Sequence, residues 1–298
     1  MTTSCHSSTR RAFLRNGVLL VGGAPLVSRA SAAEPAGKLF SAMGIAAPLD
    51  RAAALKALGA QFLTAGTGDF LAPDQPDEVF AKNLAKLAAS PLPVLACNGF
   101  IRPKHLRCVG AEANHDQILE WSETAFRRLQ QAGGKFIVFG SGGSRALRDG
   151  WTKAQADPQF VALLKRMGPL AEKHRITVAV EQLQASECNY INRIGEGAAL
   201  IRQAGHPNVR LLADLYHMAR MGDTPADLKA AMDVVAHVEI AEKAQRTYPG
   251  VKGDDFRPFF RVLREAAYQG AVSIEGQGND GQVGPAFREI AQQAAAAV

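Results

Sequence analysis

Thr177-Val178-Ala179-Val180-Glu181 is the stretch on which the reading of this chain turns. Side chains alternate across an extended strand, so Val178 and Val180 share one face while Thr177, Ala179 and Glu181 share the other. A valine face suits a covering layer of helices. A small, polar face ending in a carboxylate suits the inside of a closed sheet. The same division recurs downstream: Leu211 and Ala213 against Leu212 and Asp214, then Ala236, Val238 and Ile240 against His237 and Glu239, then Val272 and Ile274 against Ser273 and Glu275. Four successive strands thus end in an acid expected to face inward at the C-terminal mouth, the end where barrel active sites lie.

Working outward, short apolar runs alternate with longer amphipathic ones from about residue 38. The predicted strands are Leu39–Gly44, Phe62–Gly66, Pro93–Cys97, Phe136–Gly140, Thr177–Glu181, Arg210–Asp214, Ala236–Ile240 and Val272–Glu275. Between them, helical spacing predicts helices over Asp50–Leu58, Asp77–Ala89, Asn114–Gln131, Pro158–His174, Gly195–Gly205, Pro225–Val234 and Arg257–Ala267. Strands alternating with helices through short turns imply parallel pairing. Eight such units close into a single-domain (β/α)8 TIM barrel, here over residues 38–295, with an open doubly wound sheet as the alternative. The 298 residues suffice for one barrel of about 250 residues plus a leader. A 47% hydrophobic but only 7% aromatic composition fits a core of small and branched aliphatics.

The leader is residues 1–32. Thr9-Arg10-Arg11-Ala12-Phe13-Leu14-Arg15 sets paired arginines before Phe-Leu, a modest apolar run follows from Gly17 to Val27, and Ala30-Ser31-Ala32 offers a small-x-small cleavage site. This resembles a twin-arginine (Tat) signal peptide, which implies a periplasmic or secreted protein with no membrane attachment beyond export. The leader holds Arg10, Arg11, Arg15 and Arg29 and no acid, so the net charge of +6 falls to 6 − 4 = +2 on its removal. That near balance argues against nucleic acid as a partner. Cys97, Cys108 and Cys188 would remain, an odd number without CxxC spacing, which allows one disulfide but implies no framework.

Glu181, Asp214, Glu239 and Glu275 carry the chemistry. Four carboxylates converging on one cavity repel one another, and a divalent cation resolves that repulsion. An all-oxygen donor set suits Mn²⁺ or Mg²⁺ first, with Co²⁺ or Zn²⁺ as alternatives. Taken singly, each acid is as readily a strand-end residue satisfied by loop amides.

Four strings now become informative together: Val180-Glu181-Gln182-Leu183, Leu212-Ala213-Asp214-Leu215-Tyr216-His217-Met218, His237-Val238-Glu239-Ile240-Ala241-Glu242 and Ser273-Ile274-Glu275-Gly276. They resemble the xylose-isomerase-like barrel superfamily, nearest its sugar isomerase/epimerase branch, which includes ketose 3-epimerases and hydroxypyruvate isomerase. The resemblance implies metal-ligand roles for Glu181, Asp214, Glu239 and Glu275, an acid/base pair in Glu181 and Glu275, and substrate contacts from Glu187, His217 and Arg246. It implies a metal-dependent isomerase or epimerase that abstracts a proton beside the carbonyl of a small sugar or keto sugar. A lyase acting on 3-keto-glycosides and a non-catalytic periplasmic sugar-binding protein are the alternatives, and the barrel is compatible with a homo-oligomer. One departure stands out: the third ligand is usually His or Gln in that family, and here it is Glu239.

Phe139-Gly140-Ser141-Gly142-Gly143-Ser144-Arg145 reads as a tight turn shaping the rim, with Arg145 a candidate substrate contact. It lacks a P-loop lysine and is no Rossmann fingerprint. His237, one layer below Glu239, reads as a buried, hydrogen-bonded structural histidine. Glu196 with the Asn189–Asn192 stretch is expected to cap the helix near Gly195. An abasic-site endonuclease on the same barrel would need histidine ligands from early strands, and Phe62–Asp69 and Pro93–Gly99 contain none.

Overall fold

The computed structural model describes residues 38–148 and 150–298; the stretch that resembles a twin-arginine leader lies outside them. Eight parallel strands, β1 (Met43–Ala46), β2 (Phe62–Gly66), β3 (Val94–Asn98), β4 (Phe136–Phe139), β5 (Thr177–Glu181), β6 (Val209–Asp214), β7 (Val235–Ile240) and β8 (Val272–Ile274), pair in chain order. The ring closes through β1 and β8 with Gly44 opposite Ser273. The (β/α)8 barrel is therefore the fold. Helices α1 (Ala52–Ala57), α2 (Asp77–Ala88), α3 (His115–Gln131), α4 (Gly142–Arg145), α5 (Lys153–Lys173), α6 (Ile194–Ala204), α7 (Leu215–Met221), α8 (Pro225–Ala231), α9 (Arg257–Glu265) and α10 (Asp280–Ala296) follow the strands.

The alternation along the strands sorts the core into two layers. Val178, Val180, Leu211, Ala213, Val238, Ile240, Val272 and Ile274 belong to the large cluster. Ala96, Val138, Ala179 and Leu212 form a separate small one with Phe136. The first seals sheet to helices and the second fills the barrel, as the face assignment for β5 to β8 requires. Thr64 and Ser273 share a 2.9 Å hydroxyl–hydroxyl hydrogen bond between the inner faces of β2 and β8. Gly44 is required beside them, because a Cβ there would lie 2.3 Å from the Phe62 ring.

The sequence reading misplaces a few element ends. The first strand runs from Met43, not Leu39; Leu39 and Phe40 are buried outside the sheet, and Phe40 packs edge-on to Phe260 with ring centroids 5.3 Å apart. Apolar character alone does not separate a strand from a packed lead-in. Helix α5 starts five residues before Pro158, because Thr152 and Gln155 form a capping box. Helices α4, α7 and α10 were not foreseen. Glu196 does cap α6, accepting from the Asn192 and Arg193 amides at 2.8 and 3.4 Å.

Candidate active site

Register brings the acids together. Asp214 stands opposite Glu239 in the β6–β7 pairing, Glu239 opposite Ser273 in β7–β8, and Glu275 follows two residues later. One carboxylate oxygen from each of Glu181, Asp214, Glu239 and Glu275 lies within 4.8 Å of the others, and His217 joins Glu181 and Asp214 on the same criterion. Asp214, Glu239 and His217 are fully buried and Glu181 nearly so.

Each acid is differently engaged. Asp214 ends β6 and caps α7, accepting from the Tyr216 amide at 2.7 Å through Oδ1. Its Oδ2 is left to face His217 Nε2 at 3.5 Å and Arg246 at 3.3 Å. Glu275 Oε1 accepts from the Asn98 amide at 2.6 Å and Oε2 takes a short ion pair from Arg246. Glu181 Oε1 has no hydrogen bond, and a Cβ on Gly140 would meet its Oε2 at 2.2 Å, so Gly140 leaves the room this carboxylate occupies. Both oxygens of Glu239 are buried without any hydrogen-bond partner.

An ionised carboxylate buried that way costs several kcal/mol unless a cation compensates it. Burial, then repulsion from Glu275, Glu181 and Asp214, accordingly raises Glu239 well above the usual carboxylate range. Burial and the Glu181 charge push Glu275 up to about 7, against the pull of Arg246 and Asn98. The donor set fits a divalent cation: four oxygens within reach of one centre, and one carboxylate with no other partner. Arg246 reaches Glu187 at 3.6 Å as well as Asp214 and Glu275, and stacks 4.7 Å above the Tyr216 ring. Burial works against its charge, but the surrounding acids raise its pKa further.

His217 is held from two sides. The Gln184 amide donates to Nδ1 at 3.2 Å, which favours the neutral ring with its proton on Nε2, facing Glu181 at 3.4 Å. Burial opposes the charged ring, but Asp214 and Glu181 outweigh it and push the pKa up to about 9. A cation neutralising those acids would favour the neutral tautomer that the Gln184 contact selects.

The structure thus gathers Glu181, Asp214, Glu239, Glu275, Glu187, His217 and Arg246 at one mouth. Arg145 is not among them and is corrected: fully buried, it donates to the Phe139 carbonyl at 3.1 Å and the Glu181 carbonyl at 2.6 Å, tying the ends of β4 and β5. A short helix turns its side chain inward instead of over the rim. His237 is buried as expected but not hydrogen-bonded; it stacks on Phe136 at 4.9 Å, and burial lowers its pKa to about 4. Cys97, Cys108 and Cys188 are free and buried, and burial raises Cys97 and Cys108.

Four further residues were missed. Asn98 shares the inner face with Ala96, and that parity would have found it had β3 been extended one residue. Gln184 donates to Glu187 at 2.7 Å and Tyr216 at 2.8 Å. Glu242 is fully buried and gathers the loop that carries Arg246: its carboxylate accepts from the amides of Gly250 (2.9 Å), Lys252 (2.6 Å) and Gly253 (2.9 Å), and from the Thr247 hydroxyl (2.7 Å). Gln245 and Arg246, inside that loop, both have positive φ, 59° and 54°. Gln184 and Glu242 lie in loops, where no periodicity marks them, and Tyr216 acts from the first turn of α7.

With this geometry the chain can be set beside known proteins. It is 26% identical over 128 residues to a putative hydroxypyruvate isomerase of Mus musculus, covering 41% of this chain and 46% of that protein. It is 31% identical over 116 residues to L-ribulose 3-epimerase of Methylomonas sp., covering 39% and 40%. These matches span less than half the length of either relative. The solved structure of a 3-keto-D-glucoside 4-epimerase from E. coli superposes with a TM-score of 0.69 at 21% identity, over 83% of this chain and 97% of that one, a likeness of fold. The profile described as "Xylose isomerase-like TIM barrel" matches residues 49–296, and the chain belongs to that family.

Proposed function

We propose that this protein is a metal-dependent sugar isomerase or epimerase that moves a proton beside a carbonyl. The observation that carries the reading is the four-carboxylate cluster around Glu239, whose fully buried oxygens lack any other partner. Glu181, Asp214, Glu239 and Glu275 would hold the cation, Mn²⁺ or Mg²⁺ by donor chemistry. Bound there, it would polarise a carbonyl with its neighbouring hydroxyl and stabilise the resulting enediolate.

Glu181 and Glu275 exchange the proton. Glu181 ends β5 and Glu275 follows β8, three strands apart round the ring, which supports an approach to a substrate from different sides. Glu181 Oε1 carries no hydrogen bond and is free to accept. Glu275, bonded to Asn98 and Arg246, is held in place to give or take the proton opposite Glu181. His217, Glu187 and Arg246 orient the hydroxyls. Return of the proton to the same carbon on its other face epimerises, and return to the neighbouring carbon isomerises. Residues 9–32 support export by the twin-arginine route, so the reaction belongs in the periplasm or outside the cell. Replacing Arg10 and Arg11 by lysine should leave unprocessed precursor in the cytoplasm, and processing at the usual rate would remove that assignment.

The test is solvent deuterium incorporation into D-allulose, D-tagatose, D-fructose, L-ribulose and hydroxypyruvate, followed by mass spectrometry with Mn²⁺ present. Incorporation into at least one, lost by about 10³-fold in Glu181→Gln, is expected for a proton-transferring carboxylate. Incorporation that Glu181→Gln leaves intact would overturn the assignment. Protein that carries and binds no divalent metal would point instead to a binding function.

A further inference from the structure

Glu275 of the acid cluster is bonded to residues that line two different cavities. One, of 740 Å³, is lined by Glu187, Tyr216, Arg246 and Gln277 and belongs to the site described above. The other, of 760 Å³, lies over the C-terminal ends of β1, β2 and β3 and continues between α1 and α2. Glu275 joins them: its Oε2 is bonded to Arg246 in the first, and its Oε1 to Asn98 in the second. A ligand pocket usually has roughly 300–1,000 Å³, so two cavities of this size bridged by Glu275 exceed the need of a single six-carbon sugar.

The walls of the second cavity say what would fill it. Ala46, Ala47, Ala65 and Gly66 keep the strand ends small where larger side chains would close the space. Asn98 spends its Nδ2 on Glu275, while its Oδ1 makes no hydrogen bond among the described residues and stands ready to accept from a ligand hydroxyl. The charged lining is balanced: Asp50 and Asp69 against Lys86 and Arg102, with Asp69 and Arg102 paired at 3.8 Å. A phosphate needs converging cations. Here two acids offset the two cations, and Arg246 across the cluster is committed to three carboxylates. A surface of mixed donors and acceptors with no net charge is complementary to hydroxyl groups.

We propose that the cavity over β1–β3 is a subsite for a second, uncharged polyhydroxylated unit, so that a glycosidically extended keto sugar is preferred over a free or phosphorylated monosaccharide. This rests on the sugar isomerase or epimerase reading only for the unit bound at the acids. The reacting unit sits at Glu181 and Glu275, and the link to the second unit passes Asn98.

Binding is read directly, by calorimetry on the full chain in Mn²⁺ buffer, with D-fructose, D-allulose, D-fructose 6-phosphate and the ketose disaccharides lactulose and palatinose, which extend fructose through O4 and O6. At least one disaccharide is expected to bind about tenfold more tightly than D-fructose or D-allulose, and the phosphate no more tightly than D-fructose. Ala47→Trp, which fills the cavity, should abolish the disaccharide preference. Asp69→Asn with Arg102→Gln, both at exposed positions, should weaken disaccharide binding about threefold or more should the tryptophan variant fail to fold. The proposal is overturned by disaccharides that bind no better than the monosaccharides, by a preference that survives both sets of changes, or by tighter binding of the phosphate. Because affinity and not turnover is measured, a protein that binds lactulose or palatinose without exchanging deuterium would refute the catalytic reading and leave the subsite standing.

Discussion

Glu239 is the acid of the cluster that finds no other partner. A glutamate there adds a fourth carboxylate to a largely buried cluster and finds no protein donor for either oxygen. Its cost without a cation and its use with one follow from the same burial. Glu239→Gln should therefore raise the melting temperature of metal-free protein, and weaken Mn²⁺ binding by about tenfold or more, equivalent to about 1.4 kcal/mol or more. Calorimetric titration alongside thermal melts checks both, and unchanged Mn²⁺ affinity would remove Glu239 from the ligand set. Gly140 makes a second residue-scale case. An added methyl would collide with Glu181 Oε2, so Gly140→Ala should lower deuterium exchange by about tenfold or more while costing about 1–3 kcal/mol of stability, the usual range for overpacking. Neither consequence can be read from a residue's neighbours in sequence. Gly140 precedes a glycine-rich turn, and its contact is with the next strand's carboxylate.

At the scale of elements, strand parity explains why the acids were legible and their supports were not. β5 and β6 end in an acid, Glu239 is the next-to-last residue of β7 and β8 is followed directly by Glu275, so alternation alone assigns them to the interior face. The loop after β7 obeys no such rule. It winds around the buried Glu242 carboxylate, which substitutes for regular backbone pairing and presents Arg246 to Asp214, Glu275 and Glu187. Glu242→Gln keeps the shape but replaces an acceptor by a donor facing amide N–H groups, and should destabilise the protein by about 2–3 kcal/mol. If its kinetic effect runs through Arg246, the rise in KM caused by Glu242→Gln should be lost in an Arg246→Ala background. Additive effects in that double-mutant cycle would show Glu242 to be a purely structural anchor. Arg145 teaches the complementary lesson. Its place in a turn at the rim suggested an outward cation, but the turn forms a short helix that folds the guanidinium inward onto the Phe139 and Glu181 carbonyls.

For the whole molecule, the cluster couples metal, pH and stability. In metal-free protein the carboxyls of Glu239 and Glu275 are raised by burial and mutual repulsion, Glu275 to about 7. A raised pKa contributes stability that is complete below the ordinary carboxylate range and is lost as pH rises through the folded value. His217, raised to about 9 by Asp214 and Glu181 against burial, adds stability present below its ordinary value and lost toward pH 9. All three act in the same direction. The metal-free melting temperature should fall from about pH 5 to about pH 9, and saturating Mn²⁺ should reverse the fall, since ligand binding to the native state alone stabilises it. A flat or rising profile in scanning calorimetry would mean that the four acids do not share one electrostatic site.

Sequence alone determined the barrel and the four acids at its mouth, because both depend on a period-two pattern that any extended strand expresses locally. Tertiary structure decided what that pattern does not encode: that Leu39 and Phe40 pack outside the sheet, that Arg145 points inward, that Asn98 bridges Glu275 to a second cavity, and that Glu242 holds the loop bearing Arg246. These depend on contacts between residues brought together only when the ring closes, where distance along the chain says nothing about distance in space.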